Sequence, residues 1–106
     1  MGLFSFLRGH DINAGVAEYQ ATDGAVLLDV RTTDEYRQGH IEGSVNLPLD
    51  QIAAIGNIVK NKKMPLYVHC LSGARSGQAV SHLRQMGYTN ATNIGGISDY
   101  RGKVVR

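Results

Sequence analysis

The chain is poor in cysteine, with one among 106 residues. A lone thiol excludes an intrachain disulfide and any zinc site built on several thiolates, and it fits a reducing compartment, so a cytoplasmic location is expected. Charge of one sign is scarce as well. The formal net charge is +2 and the pI near 8.9, too mild to argue for nucleic acid. No basic cluster exceeds Lys60, Lys62 and Lys63, which read as a solvated turn. Long hydrophobic runs are missing too: none approaches the ~20 residues that cross a bilayer, so neither nucleic acid nor membrane is an expected partner. Met1–Arg8 is apolar but short, lacks a preceding basic residue and a small-residue cleavage site, and reads as a first strand or packing flap, not a secretory signal. Phe6 stands where a myristoylation signal wants Ser or Thr.

What is present is ordinary for a globular protein: 42% hydrophobic residues, a mean hydropathy of -0.18, and a length that bounds residues 1–106 to one domain with one core. Ala25–Val30 is the clearest strand, apolar on both alternating faces as a strand covered on each side should be. His10–Ile12 reads as an edge strand, with Asn13 capping a helix to about Gln20. Thr32 and Glu35 have capping-box spacing, which predicts a short helix from Thr33 to about Gln38, ended by Gly39. Ser44–Leu47 gives a third strand closed by Pro48, after which Asp50 caps a helix burying Ile52, Ile55, Ile58 and Val59. Leu66–Val68 is a fourth strand, Ser76–Met86 a helix with Ala79, Val80, Leu83 and Met86 on one face, and Ala91–Ile94 a fifth strand. Gly95 and Gly96 begin a final turn or short helix. Strands alternating with helices predict an α/β fold with a central, mostly parallel five-stranded sheet.

In such sheets ligands bind at the carboxyl ends of strands, and the single cysteine sits there. Cys70 follows the fourth strand and begins the run Cys70-Leu71-Ser72-Gly73-Ala74-Arg75-Ser76 ahead of a helix. Such a loop turns backbone N–H groups toward one centre, and the helix N-terminus adds partial positive charge, so a thiolate is favoured. A buried structural cysteine is the rival reading, but Gly73, Arg75 and two serines are poor companions for a core thiol. Asp29 and Arg31 leave the second strand at the same end of the sheet. An unpaired acid there would oppose thiolate formation, so Asp29 is expected to brace the site by pairing with Arg75 or with loop N–H groups. Arg31 either faces an anionic substrate or pairs with Glu35.

Three segments taken in order resemble the rhodanese family of single-domain sulfurtransferases: Leu28-Asp29-Val30-Arg31 with Glu35-Tyr36, Gly39 through Pro48, and Cys70 through Ser76. Gly95-Gly96, with Tyr100 where the family usually has tryptophan, completes the resemblance over nearly the whole chain. It implies a rhodanese-like fold with helices on both faces of the sheet. It further implies that Cys70 carries sulfane sulfur as a persulfide, held by the loop Leu71, Ser72, Gly73, Ala74, Arg75 and Ser76 with Arg31 nearby and Asp29 and Glu35 in support. Donors would be thiosulfate or a persulfide, acceptors a thiol or cyanide, with a protein donor or acceptor among the partners and no metal or organic cofactor. His40 falls in the family's structural turn, bonded to backbone, and His69 points away from the pocket by strand alternation. Two rivals remain: a noncatalytic rhodanese-like binding module, and a cysteine phosphatase or arsenate reductase. The phosphatase loop sets its arginine one position further on than Arg75, which follows Cys70 by five. The side chains of Leu71, Ser72 and Ala74 are neutral, which predicts weak binding of dianionic thiosulfate and a preference for persulfide donors.

Overall fold

The computed structural model describes residues 11–106, so the strand or flap expected over Met1–Arg8 lies outside the described residues. Its centre is a parallel sheet of four strands, β1 (Val26–Asp29), β3 (Val45–Asn46), β4 (Leu66–Cys70) and β5 (Ala91–Gly96), in the order β3-β1-β4-β5. A separate antiparallel pair joins β2 (His40–Ile41) to β6 (Val104–Val105). Helices α1 (Ile12–Gln20), α2 (Thr33–Gln38) and α3 (Ala74–Gln85), with a 3₁₀ helix over Leu49–Asn57, supply the connections.

Strand alternation divides the interior in two. Leu28, Val30, Leu66, Val68 and Cys70 face Ile52, Ile55 and Val59 of the 3₁₀ region and Ala79, Val80 and Leu83 of α3. Leu27, Tyr67 and Ile94 face Ile12 and Val16 of α1, with Ile41 closing that side. Burying both faces explains why β1 and β4 are almost continuously apolar.

The sheet has four strands where five were expected. The missing one is the edge strand expected at His10–Ile12: the Asp11 carboxylate accepts the N–H groups of Asn13 and Ala14 at 3.0 and 3.5 Å and caps α1. Asp11, not Asn13, is thus the cap, Ile12 is buried as a helix residue, and His10 lies outside the described residues. The Thr32 capping box forms as expected: the Thr32 N–H donates to Glu35 Oε1 at 2.9 Å and the Glu35 N–H to Thr32 Oγ1 at 3.2 Å. The segment after Pro48 winds as a 3₁₀ helix with no side-chain cap, so Asp50 does not cap it. Its three-residue period stacks Ile52 and Ile55 inward, whereas Ile58 follows the helix end and is exposed. Helix α3 begins at Ala74, two residues before the expected start, and its last turn leaves Met86 only partly buried. The final turn or short helix expected at Gly95 and Gly96 is a 3₁₀ turn at Ile97–Asp99, capped by Gly96, which leads into β6.

Candidate active site

Cys70 is the last residue of β4, and its side chain is buried on the α3 face of the sheet. Gly73 adopts φ +106 at the N-cap of α3, a left-handed conformation that L side chains rarely adopt, and this folds the loop back over the sulfur. Cys70 Sγ accepts the Gly73 N–H at 3.0 Å and the Ser76 N–H at 3.4 Å, and lies 3.4 Å from Ser76 Oγ. Burial alone would push the thiol up. The Ser76 hydroxyl and the N–H groups of Ser76, Gly73 and Ser72 outweigh it, so the net shift is below the ordinary value of 9.0. Helix geometry also leaves the N–H groups of Ala74 and Arg75, in the first turn of α3, without intrahelical acceptors. The site therefore offers a stabilised thiolate and further donors beside it.

Strand β5 holds this loop in place, and sequence reasoning missed it. Asn93 Nδ2 donates to the Gly73 carbonyl at 3.1 Å, while Asn93 Oδ1 accepts from Ser76 Oγ at 2.7 Å and from the Gly95 N–H at 3.0 Å. An irregularity in the β4–β5 register follows Val68↔Asn93, so that the next paired residues are His69 and Gly95. Such bulges re-aim side chains next to functional sites. The available signal was an asparagine, a poor strand former, inside a strand. Gly96 adds close contact: a Cβ there would fall 2.2 Å from the Leu71 carbonyl oxygen and 2.5 Å from Ser72 Cα. The Ser98 N–H donates to that same Leu71 carbonyl at 3.1 Å, so the exposed loop tip is anchored from below.

Asn93→Ala removes all three of these bonds. We expect it to move the Cys70 thiol back up toward the ordinary value and slow iodoacetamide alkylation at neutral pH about tenfold, since each lost hydrogen bond near a buried group costs about 1 kcal/mol. A pH profile of alkylation checks this, and an unchanged midpoint would count against Asn93 as a brace.

The charged residues pair differently from expectation. Asp29 does not meet Arg75. Its carboxylate takes the Arg31 N–H at 3.0 Å, Arg31 Nε at 3.0 and 3.1 Å, and Arg31 Nη2 at 2.8 Å. Arg31 Nη2 also donates to the Gly39 carbonyl at 2.9 Å, so this arginine faces neither Glu35 nor the loop. The cause is alternation: Asp29 shares the face of Leu27 and Tyr67, opposite Cys70. Burial acts to raise the Asp29 carboxyl, but the nearby His69 ring and the Arg31 guanidinium bring it down to about 2. His69 is fully buried on this face with Nε2 3.4 Å from Asp29 Oδ2, and among the described residues neither ring nitrogen has a well-formed hydrogen bond. His40 Nδ1 lies 2.9 Å from the Tyr36 carbonyl, with its ring stacked on Tyr36 at 3.7 Å.

Arg75 pairs with Glu35, fork to fork, through Nη1–Oε1 at 2.7 Å and Nη2–Oε2 at 3.0 Å. The guanidinium, opposed by partial burial and helped by Thr32, brings the Glu35 carboxyl down to about 2. Alongside lies a cleft of about 450 Å³ with Val30, Pro48 and Leu49 as its apolar walls and Thr32, Asp50, Arg75 and His82 as its polar lining.

The family model described as "Rhodanese-like domain" matches residues 13–103. Thiosulfate sulfurtransferase PspE of Escherichia coli (strain K12) is 40% identical over 73 residues, which cover 68% of this chain and 70% of that protein. A sulfurtransferase of Allochromatium vinosum is 40% identical over 78 residues, covering 72% of this chain and 71% of the relative. Among solved structures, a rhodanese with anions from E. coli superposes with a TM-score of 0.73 at 36% identity, over 77% of this chain and 98% of that one. Among the described residues no helix is long and apolar enough to cross a membrane.

Proposed function

The chain belongs to the rhodanese-like sulfurtransferase family, and from that membership we propose that it carries sulfane sulfur as a persulfide on Cys70, in the manner of a thiosulfate:cyanide sulfurtransferase. The Cys70 thiolate attacks the outer sulfur of thiosulfate or of a persulfide donor. A new Sγ–S bond forms, the donor's S–S bond breaks, and its electron pair leaves with sulfite or a thiolate. The charge then rests on the outer sulfur, one bond beyond Sγ. An acceptor thiolate or cyanide attacks that sulfur, and the Cys70 thiolate is released.

One observation carries this reading: a buried cysteine sulfur that already accepts two loop N–H groups, with the unused donors of the α3 first turn next to it. Leu71 through Ser76 would hold the outer sulfur with backbone groups, as an oxyanion hole holds its anion, where one donor contributes ~2.7–4 kcal/mol to transition-state stabilisation. Glu35 fixes the Arg75 side chain at the rim, and the Asp29–Arg31 pair locks the end of β1 beneath it. Nothing in these steps calls on a metal or an organic cofactor. A reducing cytoplasm, with low-molecular-weight or protein-bound persulfides as partners, is the setting we propose.

Intact-mass measurement of protein purified without reductant and treated with thiosulfate or polysulfide tests the reading. The expected product is a gain of one sulfur atom, reversed by cyanide with release of thiocyanate. A mass that never changes with either donor would overturn it.

A further inference from the structure

Arg75 is the only charged side chain between Cys70 and Ser76, and Glu35 already occupies it. Both guanidinium Nη atoms meet a Glu35 oxygen, at 2.7 and 3.0 Å, so this cation is neutralised within the protein. The other nearby cation, Arg31, is engaged by Asp29 on the opposite face of the sheet. The cleft beside the loop adds a second carboxylate, Asp50, and its walls at Val30, Pro48 and Leu49 are apolar. Among the described residues that line this approach, a dianion therefore meets carboxylates and no uncommitted arginine to offset them. An uncharged organic donor meets no such opposition and has apolar surface to lie against.

We propose that Glu35 determines donor specificity: its carboxylate withholds Arg75 from dianionic sulfur donors such as thiosulfate and favours sulfane carriers of little or no charge, of which the dialkyl trisulfides are the uncharged type. This rests on the sulfurtransferase reading of Cys70. Glu35 acts through Arg75 and touches no donor itself, so it is a positioning residue. The reaction it biases is unchanged. The thiolate attacks the central sulfur of the trisulfide, the Sγ–S bond forms as one S–S bond breaks, and an alkyl thiolate leaves with the electron pair. That thiolate then attacks the terminal sulfur still carried, the second S–S bond breaks, and a dialkyl disulfide departs while Cys70 keeps the persulfide anion.

Glu35→Gln separates this role from a structural one. Glutamine serves the capping box as well as glutamate, so the bonds from the Thr32 N–H and Oγ1 to Oε1, at 2.9 and 3.1 Å, survive. The amide nitrogen that replaces Oε2 is a donor and cannot receive Arg75 Nη2. One edge of the guanidinium is thereby released to an incoming anion.

The experiment compares wild type and Glu35→Gln with thiosulfate and with dimethyl trisulfide as donors and cyanide as acceptor. KM for thiosulfate is expected to fall about tenfold at nearly constant kcat, the scale of a partly exposed charge-assisted pair. That gain should shrink as salt is raised, while kcat/KM for the trisulfide stays within about twofold. Removing a carboxylate also favours the Cys70 thiolate, but that helps both donors equally, so the ratio of the two kcat/KM values is the readout. An unchanged ratio, or an equal loss with both donors, would overturn the proposal and leave Cys70 chemistry standing. Failure of wild type to take up sulfur from either donor would instead remove the sulfurtransferase reading, and this proposal with it.

Discussion

Cys70→Ser is expected to lower sulfur transfer by at least about 10³-fold, the scale on which removing a nucleophile acts in enzymes that form covalent intermediates. The substitution keeps a small side chain able to accept the Gly73 N–H that now reaches Sγ at 3.0 Å, so the fold should survive with a change of about 1 kcal/mol or less. The hydroxyl, unlike the thiol, does not ionise near neutral pH and forms no persulfide. Intact mass should show no added sulfur on this variant under conditions that load wild type. In wild type, alkylation and turnover should rise with pH through a midpoint below 9.0, because the loop donors favour the thiolate more than burial disfavours it. Transfer activity that persisted in Cys70→Ser would remove the nucleophile from the mechanism.

The second large effect is expected at Asp29, on the face of the sheet opposite Cys70. Asp29→Ala strands the buried Arg31 guanidinium, which among the described residues keeps only its bond to the Gly39 carbonyl, and breaking a buried pair from one side costs about 3–5 kcal/mol. For a domain of this size each kcal/mol lowers Tm by about 4–8 °C, so the loss should be plain in a melting curve. Asp29→Asn, which keeps the shape and one acceptor, should fall between. Removing both charges together, as Asp29→Leu with Arg31→Met, should recover much of the loss, since an apolar pair of similar volume can replace a buried ion pair.

Acid offers an independent check of that pair. The Asp29 carboxyl is about 2 in the folded protein against 3.8 as its ordinary value, so the folded pKa is the lower one. Its contribution, roughly 2 kcal/mol by linkage, is complete above pH ~4 and is lost as pH falls from there through about 2. Asp29→Ala should flatten the acid limb of the stability curve over that window.

Much of this site could be read from the chain because its parts are local. The capping box of Thr32 and Glu35, the strand leading to Cys70 and the glycine-bearing loop each span a few residues, and short-range rules govern them. The expectations that needed correction depend on which face of the sheet a side chain takes. Charge and a common end of the sheet match Asp29 to Arg75 or to loop N–H groups, yet strand parity turns Asp29 to the face opposite Cys70, and Arg31 meets it two residues away. Asn93 is hard to read for a related reason: beyond being an asparagine inside a strand, its role depends on the register of β4 against β5 and on one irregularity after Val68, which no periodicity reveals. The segment at His10–Ile12 read as a strand because its short polar-apolar pattern fits either element, and the Asp11 side chain, by capping α1, decides between them.

The Ser76 hydroxyl carries one proton but stands within reach of three acceptors: Asn93 Oδ1 at 2.7 Å, the Gly73 carbonyl at 3.1 Å and Cys70 Sγ at 3.4 Å. A single O–H cannot satisfy all three at once. In the proposed cycle, turning about one bond would let it donate to Sγ while the negative charge is on that atom and return to Asn93 or Gly73 once the charge has moved to an outer sulfur. The cradle would thereby follow the displacement of charge by rotation of one hydroxyl, without displacing a backbone atom. Loaded and empty forms of the loop can then be the same shape, distinguished only by where one hydrogen points.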